Sequence, residues 1–161
     1  MLGDITLLKD GAFGAPGSKR YAVFKGAAAS INAGEPVYKA LGTTYVSALA
    51  TNKPVVGTDY MAGIAMSTST DTVAANGVVD VLPLVAGQVF LISPKVAATW
   101  DTQAEYDALV GSRVLLDLTS GSYTILASDG ATYGCVIEPL DISKYPGKVA
   151  FSIRAGVSFL A

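Results

Sequence analysis

The alternation of apolar and polar positions is clearest between Asp59 and Lys95, DYMAGIAMSTSTDTVAANGVVDVLPLVAGQVFLISPK. Three apolar runs stand there: Met61 to Ser67, Val78 to Leu84 and Gln88 to Ser93. A Ser/Thr-rich loop from Ser67 to Ala75 and the pair Asn76-Gly77 separate the first two, and Ala86-Gly87 separates the last two. Asn and Gly tolerate positive φ, so these pairs are turn signals. Short apolar runs punctuated in this way predict an antiparallel meander, and the rest of the chain is organised around it.

Before the meander, Arg20 to Lys25 reads as a short strand and Gly26 to Ser30 is undecided. Asn32 to Pro36 is a turn, Val37 to Leu41 a strand, and Tyr45 to Leu49 another that ends at Asn52-Lys53-Pro54. After it comes a helix. In Thr102-Gln103-Ala104-Glu105 the hydroxyl can accept from the backbone three residues on and the Glu can reach back, which is a capping box. Tyr106 and Leu109 share one face, Gly111 can end the element, and Trp100 can pack against its first turn.

The last third returns to strands. In Arg113 to Leu118 the pattern turns Val114, Leu116 and Leu118 one way, and Arg113 and Asp117 the other. Ser120-Gly121 turns, Tyr123 to Ala127 follows, and Asp129-Gly130 predicts a hairpin back into Thr132 to Ile137. Pro139 to Lys148 is a longer connection containing Pro146-Gly147. From Val149 to Phe159 strict period-two alternation predicts a strand over ~30 Å long. Strands at this spacing with glycine turns predict an all-β fold, a mainly antiparallel β-barrel or sandwich, with one short helix near 102–110.

The first residues differ. Gly3, Gly11, Gly14, Pro16 and Gly17 argue for an extended N-terminal arm over residues 1–19, ahead of a single β-rich domain over residues 20–161. A solvated tail does not usually carry Ile5, Leu7, Leu8 and Phe13, so these four are candidate contacts with a neighbouring subunit.

Composition sharpens that picture. Charged residues make up 15% of the chain and hydrophobic residues 51%. Soluble domains average ~25% charged, so apolar surface buried between subunits is expected. The longest apolar stretch, Val81 to Pro94, falls short of the ~20 residues that cross a bilayer and contains Pro83 and Gly87, so no membrane partner is expected. A net charge of −2 leaves no basic face for a phosphate backbone, so no direct nucleic-acid partner is expected either. No basic head and apolar block mark a signal peptide at the N-terminus, and synthesis in a cytoplasm is expected. Cys135, the single cysteine, sits in an apolar run and reads as a buried, inert thiol.

Candidate chemistry is sparse. There is no histidine, which removes the commonest general base and metal ligand. Asp101, Glu105 and Asp107 form the densest acidic group and read as acids complementing a helix N-terminus. Glu138, between Ile137 and Pro139, is the one faint candidate for an acid in an apolar pocket. The segment from Gly11 to Lys19 departs from a phosphate loop in residue order and flanking pattern, and Pro16 removes a backbone donor. The Ser67–Thr72 cluster lacks a partner base and reads as a polar loop. Neither a metal site nor a cofactor is expected.

The succession Ala62-Gly-Ile-Ala65, then Ser67 to Thr72, then Gly-Val-Val-Asp-Val-Leu-Pro-Leu-Val-Ala-Gly over 77–87 resembles the capsid decoration, or cement, proteins of tailed bacteriophages. Ile31-Asn-Ala-Gly-Glu-Pro-Val37 is similar to the opening of that family, so the resemblance spans roughly residues 20 to 95. It implies a β-rich virion protein on the capsid exterior that clusters as homotrimers on the major capsid protein shell and stabilises the head. It brings no active-site residues. Two other classes compete: a carbohydrate-binding or surface-binding β module that stacks sugars on exposed tyrosines and Trp100, and an enzyme built around Glu138.

Overall fold

The computed structural model describes residues 6–9, 20–24, 30–43, 45–49, 53–70, 77–84, 86–119, 122–126 and 128–157; for 6–9, 20–24 and 119 it describes the backbone alone. The fold is all-β with one α-helix, as the strand pattern predicts.

Five strands, β2 (Arg20–Phe24), β4 (Pro36–Ala40), β5 (Ser47–Ala48), β6 (Asp59–Ala65) and β8 (Gly77–Pro83), form one sheet in the order β2-β8-β6-β4-β5. A small ladder of β3 (Ser30–Ile31) and β7 (Ser69–Thr70) stands apart from it. The second large sheet holds β9 (Val89–Pro94), β10 (Arg113–Val114), β11 (Leu116–Thr119), β12 (Ser122–Ile125), β13 (Cys135–Ile137) and β14 (Val149–Ile153), in the order β10-β13-β14-β9-β12-β11. Its end strands, β10 and β11, are separated in the chain by Leu115 alone. The two edges therefore lie side by side, and the sheet curls into a nearly closed barrel.

The remaining seam is strapped from outside the sheet. Lys53 exchanges both backbone hydrogen bonds with Leu116, at 3.2 and 2.8 Å, while Val56 N–H donates to Thr132 and Gly134 N–H to Pro54. A side chain at Gly134 would collide with Pro54, so glycine is required for the strap to lie so close.

The meander is correct for its first two strands and wrong for its third. β6 pairs antiparallel with β8, with Ile64 opposite Leu82, but β9 crosses into the barrel. A tight return would ask Pro83 for a ladder donor that it lacks. Leu84 and Gln88, the ends of the crossing, are both buried. The Asn76 half of the predicted turn lies outside the described residues.

Asp129-Gly130 does not make a hairpin. β12 pairs with β11 and β9, and β13 with β10 and β14. The Asp129 carboxylate instead accepts from the backbone and guanidinium of Arg113, which pins the loop beside β10. The Ser120-Gly121 hairpin does form, since Thr119 sits opposite Ser122, although the two turn residues lie outside the described set.

The last strand is shorter than its alternation predicts. β14 ends at Ile153, Ala155–Val157 form a 3₁₀ turn, and residues 158–161 lie outside the described set. All five β14 residues are buried, because the strand is central and covered on both faces. The Arg113–Leu118 pattern also breaks. Leu115 interrupts the ladder, Asp117 is buried and Leu118 is exposed near the hairpin end.

Two cores result. The larger fills the barrel and its junction with the other sheet, around Ile92, Tyr106, Leu116, Ile125 and Phe151. The smaller, Ile31, Val37, Val46, Ala62, Ala65, Val79 and Val81, lies on one side of the five-stranded sheet. An extra residue in β6, between the pairs Val37–Gly63 and Tyr38–Met61, shifts the register so that β6 serves both cores.

Candidate functional site

The helix α1 (Gln103–Leu109) forms as its capping box predicts. Glu105 N–H donates to Thr102 Oγ1, and Thr102 N–H and its hydroxyl donate to the Glu105 carboxylate. Trp100 packs edge-on against Tyr106 at 5.7 Å between ring centres, which fixes the entry of the chain into the helix. Gly111 follows with φ 85°, the left-handed conformation that ends it.

The acids of this helix have local roles. The hydrogen bond with Glu105, and then its charge, raise the Asp101 carboxyl, while the hydroxyl of Thr102, and then Asp101, lower that of Glu105. Gln103 ties the helix to the 139–148 connection. Its amide donates to Asp107 and to the Leu140 carbonyl, and its oxygen accepts from Ile142 N–H. Gln103, Asp107, Pro139, Leu140 and Asp141 line an open depression there. Glu138 is not among its lining residues.

Glu138 accepts from Ser152 Oγ at 2.5 Å, and its backbone carbonyl accepts from Tyr106 Oη at 2.8 Å. Tyr106 Oη in turn accepts from Ala150 N–H, and burial pushes this phenol up to about 12. A serine bonded to a carboxylate gains a proton acceptor, but nucleophilic catalysis also needs donors for a developing oxyanion. The cluster locks α1 onto β14.

Two carboxylates are buried, and the sequence reading gave neither any weight. Asp59 meets Lys53 Nζ at 3.0 Å and accepts from Val55 N–H, closing the strap. Asp117 meets Lys95 Nζ at 2.5 Å. The readable signal was an Asp inside an apolar strand, which must find a cation. Cys135 is buried, and burial pushes its thiol up to about 12, as expected of an inert cysteine. Among the described residues no group of His, Cys, Asp and Glu could hold a metal, and no helix is long and apolar enough to cross a membrane.

Trp100 is 5% exposed, so it offers no ring for a sugar to stack on. This corrects the expectation that placed it at an accessible loop: the residue serves the helix entry instead. The polar loop after β6 is built in. Asp80 N–H donates to Ser67 Oγ and Ala33 N–H to Thr68 Oγ1, while residues 71–76 lie outside the described set.

Of the N-terminal candidates, Ile5 and Phe13 lie outside the described residues, as does the 11–19 segment. Leu7 and Leu8 fall in β1 (Thr6–Lys9), which pairs antiparallel with β9, Leu7 opposite Phe90. That stretch of the arm is extended, and it is docked on the barrel of its own chain.

Two exposed apolar side chains, Val78 and Met66, lie close together on the five-stranded sheet. Along β8, Val79 and Val81 are buried in the smaller core, while the other face grades from buried Leu84 through half-buried Leu82 and Asp80 to Val78, which is 55% exposed. Met66 N–H donates to the Asp80 carbonyl, which sets Met66 beside Asp80 and diagonal to Val78, and it is 47% exposed. Ile64, opposite Leu82, continues the stripe toward the larger core.

No family model matches this chain, and neither a curated protein nor a solved structure is significantly similar to it.

Proposed function

We propose that this protein is a non-catalytic capsid decoration protein of a tailed bacteriophage, which binds the outer surface of a major capsid protein shell as a homotrimer and stabilises the head. The observation that carries the reading is the exposed apolar pair Val78 and Met66, which flanks half-buried Asp80 on the five-stranded sheet and leads through Leu82 and Ile64 to the larger core. An apolar face of this kind suits a protein surface, where many copies with modest contacts add up by avidity. The resemblance over residues 20 to 95 names the kind of surface, and the histidine-free composition suits a clamp that needs contact area rather than chemistry.

The alternative of a carbohydrate-binding module is weakened by the burial of Trp100. An enzyme is disfavoured because Glu138 is engaged by Ser152 and lies outside the depression beside it.

Mixing the purified protein with expanded, undecorated phage shells tests the proposal. Saturable co-sedimentation and a raised shell melting temperature are expected. Shells that sediment without the protein would overturn it.

A further inference from the structure

We propose that β1 is an exchangeable strand, and that its seat on β9 takes the same segment from a second copy of this chain. One edge of β9 is held along Val89–Ile92 by β14. The opposite edge is shared: β12 pairs with Ser93 and Pro94, and β1 with Val89, Phe90 and Leu91. The seat is thus a short gap in an otherwise closed barrel, and it leaves backbone donors and acceptors of β9 to be satisfied by whichever strand enters.

Three features make the occupant interchangeable. β1 has four residues, its register shifts between Leu7 and Lys9, and β9 is its one strand partner among the described residues. Its chain neighbour β2 belongs to the other sheet, so no hairpin partner in the sequence holds β1 on β9. The tether between β1 and β2, residues 10–19, contains Gly11, Gly14, Pro16 and Gly17 and has a reach of ~30 Å when extended.

A second copy's β1 would make the same ladder bonds, so the two arrangements differ mainly in tether entropy and protein concentration. A connection of ten residues with three glycines corresponds, by its length and composition, to an effective concentration of the order of 1 mM. At micromolar concentrations each chain keeps its own strand, and where copies crowd to about 1 mM the strands trade. Exchange of this kind links neighbouring copies without creating a new interface.

The test uses the full chain carrying the photo-crosslinker benzoylphenylalanine at Lys9, the register partner of Val89. Unlabelled and 15N-labelled protein are mixed, equilibrated and irradiated, and peptides joining the β1 region to the β9 region are read by mass spectrometry. With equal partition at ~1 mM, about a quarter of these peptides carry mixed labels, and the fraction falls roughly fifty-fold at ~10 µM. A crosslinker at Ser143, in the exposed 139–148 connection, sets the background. Mixed peptides no more frequent than that background at ~1 mM would overturn the proposal. If melting shows that position 9 does not tolerate the bulky group, Thr6, opposite Leu91, takes its place and is read by the same criterion. Strand exchange is independent of shell binding: its failure would leave shell uptake standing, and failed uptake would leave the mixed peptides unexplained by any shell.

Discussion

Strands β14 and β8 are both rich in small and β-branched apolar residues, yet they meet different fates. Every residue of β14 is buried, because β13 and β9 flank it and the side chains of α1 reach its backbone. In β8 one face is buried, while the other passes from half-buried Leu82 to exposed Val78. The contrast separates the part of the molecule that is packed on all sides from the part that is not. The nearly closed barrel buries most of its apolar residues in its own core, whereas the five-stranded sheet leaves Val78 and Met66 exposed.

If that contrast is right, substitutions in the barrel should unfold the protein and those on the open face should not. The largest effect is expected at Phe151, which is fully buried and packs at a tilt against Phe90, with 5.7 Å between ring centres. Phe151→Ala should cost ~3–5 kcal/mol in urea denaturation; a loss below ~1 kcal/mol would mean that the barrel is not the stable part.

Next comes alkaline pH. The Tyr106 phenol is raised to about 12 by burial, above the ordinary value of about 10. Its contribution to stability is complete below pH ~10 and is lost as pH rises through the folded value near 12. Tyr106→Phe should flatten the fall in melting temperature across that window, and ultraviolet absorbance of tyrosinate should show a phenol that ionises only there.

A smaller loss is expected at the junction of β6 and β8. Gly63 has φ 153°, and a Cβ there would collide with the Leu82 carbonyl and the Val81 side chain. Gly63→Ala should cost more than ~1 kcal/mol by the same denaturation assay. Thr102→Ala removes the helix cap and should cost ~1 kcal/mol, without moving the spectral signature of the strands.

The elements whose signals are local were readable in the sequence. The capping box at Thr102 and Glu105, the β6 and β8 runs and the 119–122 hairpin each depend on residues a few positions apart. What escaped was which partner an element chooses. Ala86-Gly87 marks a turn, and Gly87 has φ 89°, but nothing nearby says that β9 must leave β8 and join β14. Asp129-Gly130 carries a hairpin signature and is used as an anchor for Arg113. The alternation from Val149 to Phe159 describes a strand only to Ile153, because a 3₁₀ turn at Ala155–Val157 preserves an apolar pattern without preserving the pleat. At the candidate surface, the apolar character of Val78 and Met66 was plain, but their exposure depends on where the barrel stops covering the sheet.

The most direct measurement compares the wild-type protein with a Val78→Asp, Met66→Asp double variant for uptake onto expanded, undecorated phage shells. Both side chains are exposed, so the variant should melt within a few degrees of wild type. Wild type is expected to bind saturably, and the variant to lose at least tenfold in affinity. Equal uptake by both proteins, or none by either, would contradict this.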